Sequence, residues 1–152
     1  MQKMQLGFLL FKAVLFLHLH SSIKLLVKIM SVKIKFLKNG VIATFSSNIE
    51  ENEIRDAFID IIEKVSIKKI NYFLFDFTDI TSYTIPPNYM NIVKMITHFS
   101  VSYNEDIKAL IVATHPSITS VVSEIINNQE ELKWEYYLFD KLSDAQKLID
   151  TI

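Results

Sequence analysis

A chain of 152 residues, half of them apolar, is long enough to bury one substantial core and short enough that a single domain is the expectation. It has no cysteine, which removes disulfides, thiolate nucleophiles and cysteine-held metal sites and fits a reducing cytoplasm. The net charge of −1 conceals an uneven distribution: all seventeen acids lie in residues 50–152, while residues 1–49 carry seven lysines and no acid. With Arg55 as its one arginine and an acidic main body, the chain lacks the clustered basic side chains that phosphate neutralisation requires, so no nucleic-acid partner is expected.

Residues 6–19, LGFLLFKAVLFLHL, form an apolar run broken by Lys12 and flanked by Lys3, Lys24 and Lys28. Crossing hydrocarbon takes roughly twenty apolar residues, so the run is short for a span. A basic start and an apolar centre suit a secretory signal, but His20, Ser21, Ser22, Ile23 and Lys24 offer no small-x-small cleavage pattern. Two readings of residues 1–29 stay open. One is an uncleaved anchor or amphipathic surface helix whose lysines meet anionic lipid; the other is an extension upstream of a true start at Met30. A membrane is a partner only in the first. His18 and His20 lack a third ligand, and no metal is expected there.

The domain expected over residues 30–152 opens with a β-hairpin. Val32, Ile34 and Phe36 alternate with Lys33 and Lys35, Asn39-Gly40 supplies a turn, and residues 41–45 return as a second strand. Ser47 and Asn48 are candidate helix caps, with Glu50 and Glu51 at capping-box spacing, and Ile54, Ala57, Phe58, Ile61, Ile62 and Val65 then repeat as a helical stripe. Residues 70–77, INYFLFDF, make a nearly unbroken apolar run of strand length, which predicts a central strand covered on both faces. A polar stretch, residues 78–84, precedes Pro86 and Pro87, which open a helix carrying Tyr89, Ile92, Val93, Ile96 and Phe99 inward. Residues 107–113 form another buried strand, and Thr114, His115 and Pro116 start a helix with Ile118, Val121, Val122, Ile125 and Ile126 as its inner stripe. Residues 134–139 form the last strand, after which Ser143, with Gln146 three residues on, caps a short helix containing Ala145, Leu148 and Ile149. The order β-β-α-β-α-β-α-β-α calls for an α/β fold with a mixed, mostly parallel sheet and helices packed on it.

Three segments carry a resemblance to a known family. Phe75-Asp76-Phe77-Thr78-Asp79-Ile80-Thr81 is similar to the strand ending D-L-S-G-V-T, Ala109-Leu110-Ile111-Val112-Ala113 to a core strand, and Leu138-Phe139-Asp140-Lys141-Leu142-Ser143-Asp144-Ala145 to v-F-x-s-l-e-e-A. With the hairpin-first order they resemble the STAS domains, the family of the SpoIIAA-like anti-sigma-factor antagonists, over residues 30–152, as a divergent member. The resemblance implies a non-enzymatic regulatory or protein-interaction module with a partner of anti-sigma or kinase-like type. In the antagonists a serine in D-S-S-G, at the start of the helix after the third strand, accepts phosphate. The matching stretch here is Thr84-Ile85-Pro86-Pro87, without a serine at that place. The contact face implied comprises Thr78, Asp79, Thr81, Ser82, Tyr83, Thr84 and Asn88. A second implication is a small-molecule or lipid-binding protein of the same fold, its many Phe, Ile and Leu lining a cavity.

Asp76, Thr114 and Lys141 fall at the ends of three successive strands, where open parallel sheets gather ligands and where receiver domains place their phospho-accepting Asp, hydroxyl and Lys. The acidic pair that would hold Mg²⁺ after a first strand is missing, leaving a receiver-like pseudo-domain as a fold analogy. Asp76 and Asp79 are read as loop caps, His98 and His115 as isolated or capping imidazoles, and Tyr72, Phe73, Phe75, Phe77, Trp134, Tyr136 and Tyr137 as sheet core. Gly7 and Gly40 are the only glycines, so a glycine-rich phosphate loop is excluded. No cofactor and no catalytic residue is assigned.

Overall fold

The computed structural model describes residues 32–152; the readings of residues 1–29 lie outside that span, as do Met30 and Ser31. Strands β1 (Val32–Phe36) and β2 (Gly40–Ile49) pair antiparallel, with Val32 opposite Phe45 and Phe36 opposite Val41, so the opening hairpin is present. Its turn differs from the expectation. Among the described residues positive φ occurs only at Ser47 and Lys133, so Asn39-Gly40 does not use left-handed backbone. Leu37 N–H donates to the Gly40 carbonyl at 2.9 Å, closing the hairpin around Lys38 and Asn39. Gly40 already belongs to β2, and what excludes a side chain there is the Tyr72 ring, which occupies the place of a Cβ.

Helix α1 (Glu53–Lys64), a 3₁₀ turn (Ile67–Lys69), β3 (Tyr72–Tyr83), α2 (Tyr89–Val101), β4 (Lys108–Val112), α3 (Pro116–Asn127), a single-turn α4 (Gln129–Leu132), β5 (Glu135–Phe139) and α5 (Leu142–Ile149) complete the order. The five strands lie in the sequence β1-β2-β3-β4-β5, parallel from β2 onward. Each crossover advances one strand in the same direction, and right-handed crossovers then place α1, α2 and α3 on one face. On that face Phe58 and Ile61 of α1 and Ile118 and Val122 of α3 bury Val41, Ala43, Phe45, Phe73, Phe77, Ala109 and Ile111. The opposite face is covered by α5, whose Ala145, Leu148 and Ile149 meet Tyr72, Leu74, Leu110 and Val112. The apolar run of β3 is thus explained: as the middle strand it buries Phe73 and Phe77 on one side and Tyr72 and Leu74 on the other. The aromatic residues expected in the sheet core, other than Tyr137, form core or pack against it, with Phe45 and Phe77 stacked at 4.6 Å and Phe73 5.5 Å from Trp134; Tyr137 instead donates to Glu135 at the surface.

Three helix details depart from the sequence reading. Ser47 and Asn48 stay in β2 and cap nothing, because β3 continues beside them and supplies partners for their backbone; α1 starts after Asn52, and the Glu53 carboxylate reaches back to Glu50 N–H at 2.8 Å. Ser143 lies inside α5, which begins after Lys141 without a side-chain cap. In α2, Phe99 points outward at 49% exposure, and the buried positions are Thr97 and Ser100. Those hydroxyls are tolerated inside because each donates to the carbonyl four residues back, Thr97 to Val93 at 2.8 Å and Ser100 to Ile96 at 2.9 Å. The start of α3 follows the expectation: His115 caps it, its Nδ1 accepting from Ser117 N–H, with Pro116 in the first turn.

Candidate functional site

Pairing with β4 engages β3 as far as Asp76, opposite Val112, and pairing with β1 engages β2 as far as Phe45. Beyond those points β2 and β3 run on together as a two-stranded parallel ribbon: Ser46 opposite Asp79, Ser47 opposite Ile80, Asn48 opposite Ser82, Ile49 opposite Tyr83. The register shifts twice, between Thr44 and Ser46 and between Ser47 and Asn48, and Ser47 takes φ 65°. Such bulges twist and bend a strand pair locally. The polar stretch of residues 78–84, expected to follow the strand, is therefore itself strand as far as Tyr83, and Thr84 N–H closes it by donating to the Ile49 carbonyl at 3.1 Å. Polar composition misled the reading, because these residues pair on one side only and all but Ile80 and Tyr83 keep their side chains in solvent.

Six of the seven expected contact residues are exposed: Thr78, Asp79, Thr81 and Ser82 on β3, and Thr84 and Asn88 between it and α2. Asn48, which sequence reasoning missed, ties the two strands: its Oδ1 accepts from Thr81 Oγ1 at 2.6 Å and from Ser82 Oγ at 3.0 Å. At the ribbon base, buried Asp76 accepts from Thr78 N–H at 3.0 Å and from the Thr78 hydroxyl; both residues lie inside β3, so the carboxylate braces the strand and does not cap a loop as expected. Tyr83 differs from the rest. It is half-buried, and desolvation, followed by the charge of Glu51, pushes its phenol up to about 12. Pro86 and Pro87 precede α2 instead of occupying its first turn; the Pro86 carbonyl accepts Tyr89 N–H at 3.1 Å, and Asn88 takes the N-cap position without a side-chain bond.

Tyr83 and buried Pro86 form one wall of an apolar cavity of about 140 Å³ between the sheet and α1, α2 and α3. Helix α2 is moored to its neighbours through exposed groups: the Tyr89 hydroxyl donates to Glu124 of α3, and Lys94 meets Glu131 of α4 at 2.8 Å. Thr97 Oγ1 and the Tyr136 hydroxyl, 2.8 Å apart, join the second half of α2 to β5. The expected trio at the strand ends is not assembled as in a receiver. Asp76 is committed to Thr78, Thr114 and Lys141 are exposed, and the strand order differs from the 2-1-3-4-5 order of that fold.

No protein-family model matches this sequence, and no curated protein matches it significantly. Solved structures do match. The anti-sigma factor antagonist SpoIIAA in its unphosphorylated form superposes with a TM-score of 0.53 at 7% identity, over 80% of this chain and 99% of that one. The Bacillus cell fate determinant SpoIIAA in its phosphorylated form gives 0.51 at 7% identity, over 78% and 98%. An uncharacterised protein with a SpoIIAA-like fold from Shewanella loihica gives 0.47 at 10% identity, over 77% and 90%. The described domain therefore has the STAS/SpoIIAA-like fold, as the sequence resemblance implied. Identity at this level establishes the architecture alone.

Proposed function

We propose that the chain is a non-enzymatic regulatory module of the cytoplasm that recognises a protein partner of anti-sigma or kinase-like type through residues 78–88. The observation that carries this is the ribbon: it leaves the sheet where β1 and β4 stop pairing, and it holds Thr78, Asp79, Thr81, Ser82 and Thr84 in solvent on a backbone fixed by cross-strand bonds. A polar face held rigid before binding loses little ordering entropy when a partner docks. Among the described residues no helix is long and apolar enough to cross a membrane. Three groups of the kinds used in chemistry have structural duties: Asp76 anchors Thr78, His115 caps α3, and Tyr136 bonds Thr97. SpoIIAA has an unphosphorylated and a phosphorylated form. Here the stretch matched to its acceptor serine is Thr84-Ile85-Pro86-Pro87, and partner choice is set by the ribbon without that switch.

Affinity capture from cells that natively express the chain tests this, using wild type, an Asp79→Lys/Asn88→Lys variant and a Lys69→Glu control remote from the ribbon. The expected result is a protein retained by wild type and control and reduced at least about ten-fold by the ribbon variant, as like-charge or lost polar contacts at an interface produce. Identical capture by all three would contradict the proposal.

A further inference from the structure

The cavity behind the ribbon has features that a packing defect alone does not require. Its lining is almost wholly apolar, drawn from Phe58 of α1, Val93 and Ile96 of α2, Ala109 of β4, Val121 of α3 and Trp134 ahead of β5. Its exposed lining residue is Glu51, so it meets solvent beside the start of α1 and the end of β3. Helix α2 roofs it with half-buried side chains, and the first turn of that helix is held by Tyr89 and Glu124 at the surface. Surface bonds of this kind contribute little to stability.

We infer that this cavity is a binding site for a compact, uncharged apolar molecule of about one ring in size. Volume decides the size. Apolar cavities near 150 Å³ accept a benzene-sized ring, whereas sites for drug-sized molecules occupy about 300–1,000 Å³, so 140 Å³ excludes a two-chain lipid. Charge decides the head group. Arg55, the cation at the opening, already binds Asp56 at 2.8 Å, and Glu51 and Glu124 stand nearby, so an anionic ligand gains no free counter-charge. Tyr83 and Pro86 belong both to the cavity wall and to the segment proposed to meet a protein, so an occupant touches the back of that face. The site exists whether or not residues 78–88 bind a protein.

Trp134 is the only tryptophan, is buried and lines the cavity, so its emission reports on occupancy. The full chain is titrated with toluene, benzyl alcohol, octanoate and phosphatidylcholine vesicles while Trp134 emission and Tm are followed. Wild type is compared with Val93→Phe and Val121→Phe, which fill the space from two different helices. The expected result is a saturable emission change with toluene and benzyl alcohol and a Tm rise of roughly 5–10 °C at about 100-fold excess over Kd. Both responses weaken at least ten-fold in each filled variant that folds by circular dichroism. Wild type alone keeps the test decisive, because no saturable response to either ring compound overturns the inference. Responses undiminished in the filled variants, or confined to octanoate or vesicles, overturn it as well.

Discussion

Gly40 and Tyr72 show how one side chain dictates another residue's identity. The Tyr72 ring, 2% exposed and packed with Leu74 and Ala145, fills the volume that a Cβ on Gly40 would need. Gly40→Ala is therefore an overpacking change and should cost about 1–3 kcal/mol in urea unfolding. In a Tyr72→Leu background the same substitution should cost markedly less, since the obstructing ring is gone; equal costs in both backgrounds would show that the ring is not the constraint. The buried phenols add a pH dependence. Burial pushes Tyr136 up to about 12 from an ordinary value of 10.0, and Tyr83 likewise to about 12, so the folded chain holds those protons more tightly than the unfolded chain. This stabilisation is complete below pH 10 and is lost as pH rises toward 12. Tyr136 accounts for on the order of 2 kcal/mol of that loss. Denaturant unfolding of wild type and Tyr136→Phe between pH 9 and 12 checks the sign, wild type losing stability more steeply than the variant; parallel curves would refute the assignment.

At the scale of elements, the ribbon is held by backbone pairing and by one exposed side chain, Asn48, that accepts two hydroxyl bonds. Asn48→Ala should speed amide exchange of residues 79–83 several-fold while lowering global stability by less than about 1 kcal/mol, because the bonds are solvent-exposed and local. Unchanged exchange there would mean that the backbone ladder alone sets the ribbon's rigidity. The elements built on periodicity were legible in the sequence: the alternation of Val32 and Ile34, the stripe of Ala57, Phe58 and Ile61, and the unbroken run of β3 each reflect burial, which writes itself as spacing, although Phe36, next in the β1 alternation, is exposed. The ribbon was not, since Ser46, Ser47 and Asn48 are polar and bulged, the last two exposed, and their strand character comes from a partner 33 residues or more away. Phe99 went astray for the opposite reason: hydropathy put it inward, whereas Thr97 and Ser100 satisfy their own hydroxyls and take the buried places. Of the candidate site, residue types were legible and conformation was not. The cavity was foreseen only as a class, because its walls come from three helices and three strands that no local pattern connects.

At the scale of the domain over residues 32–152, the strand order β1-β2-β3-β4-β5 leaves the two faces of the sheet unequally covered. Three helices cover one face and α5 covers part of the other, and among the described residues β2 and β3 are the paired strands that outrun the sheet. The proposed partner face, its supporting strands and the cavity beneath it therefore cluster on one side of the central strand, where Tyr83 and Pro86 touch both solvent-facing segment and apolar interior. Hydrogen exchange of the full chain, free and bound to the protein it captures from cells, tests this arrangement most directly. Slowed exchange concentrated in residues 78–88 is the predicted result. Protection confined to β1, β5 or α5, with residues 78–88 exchanging as in the free chain, would contradict it.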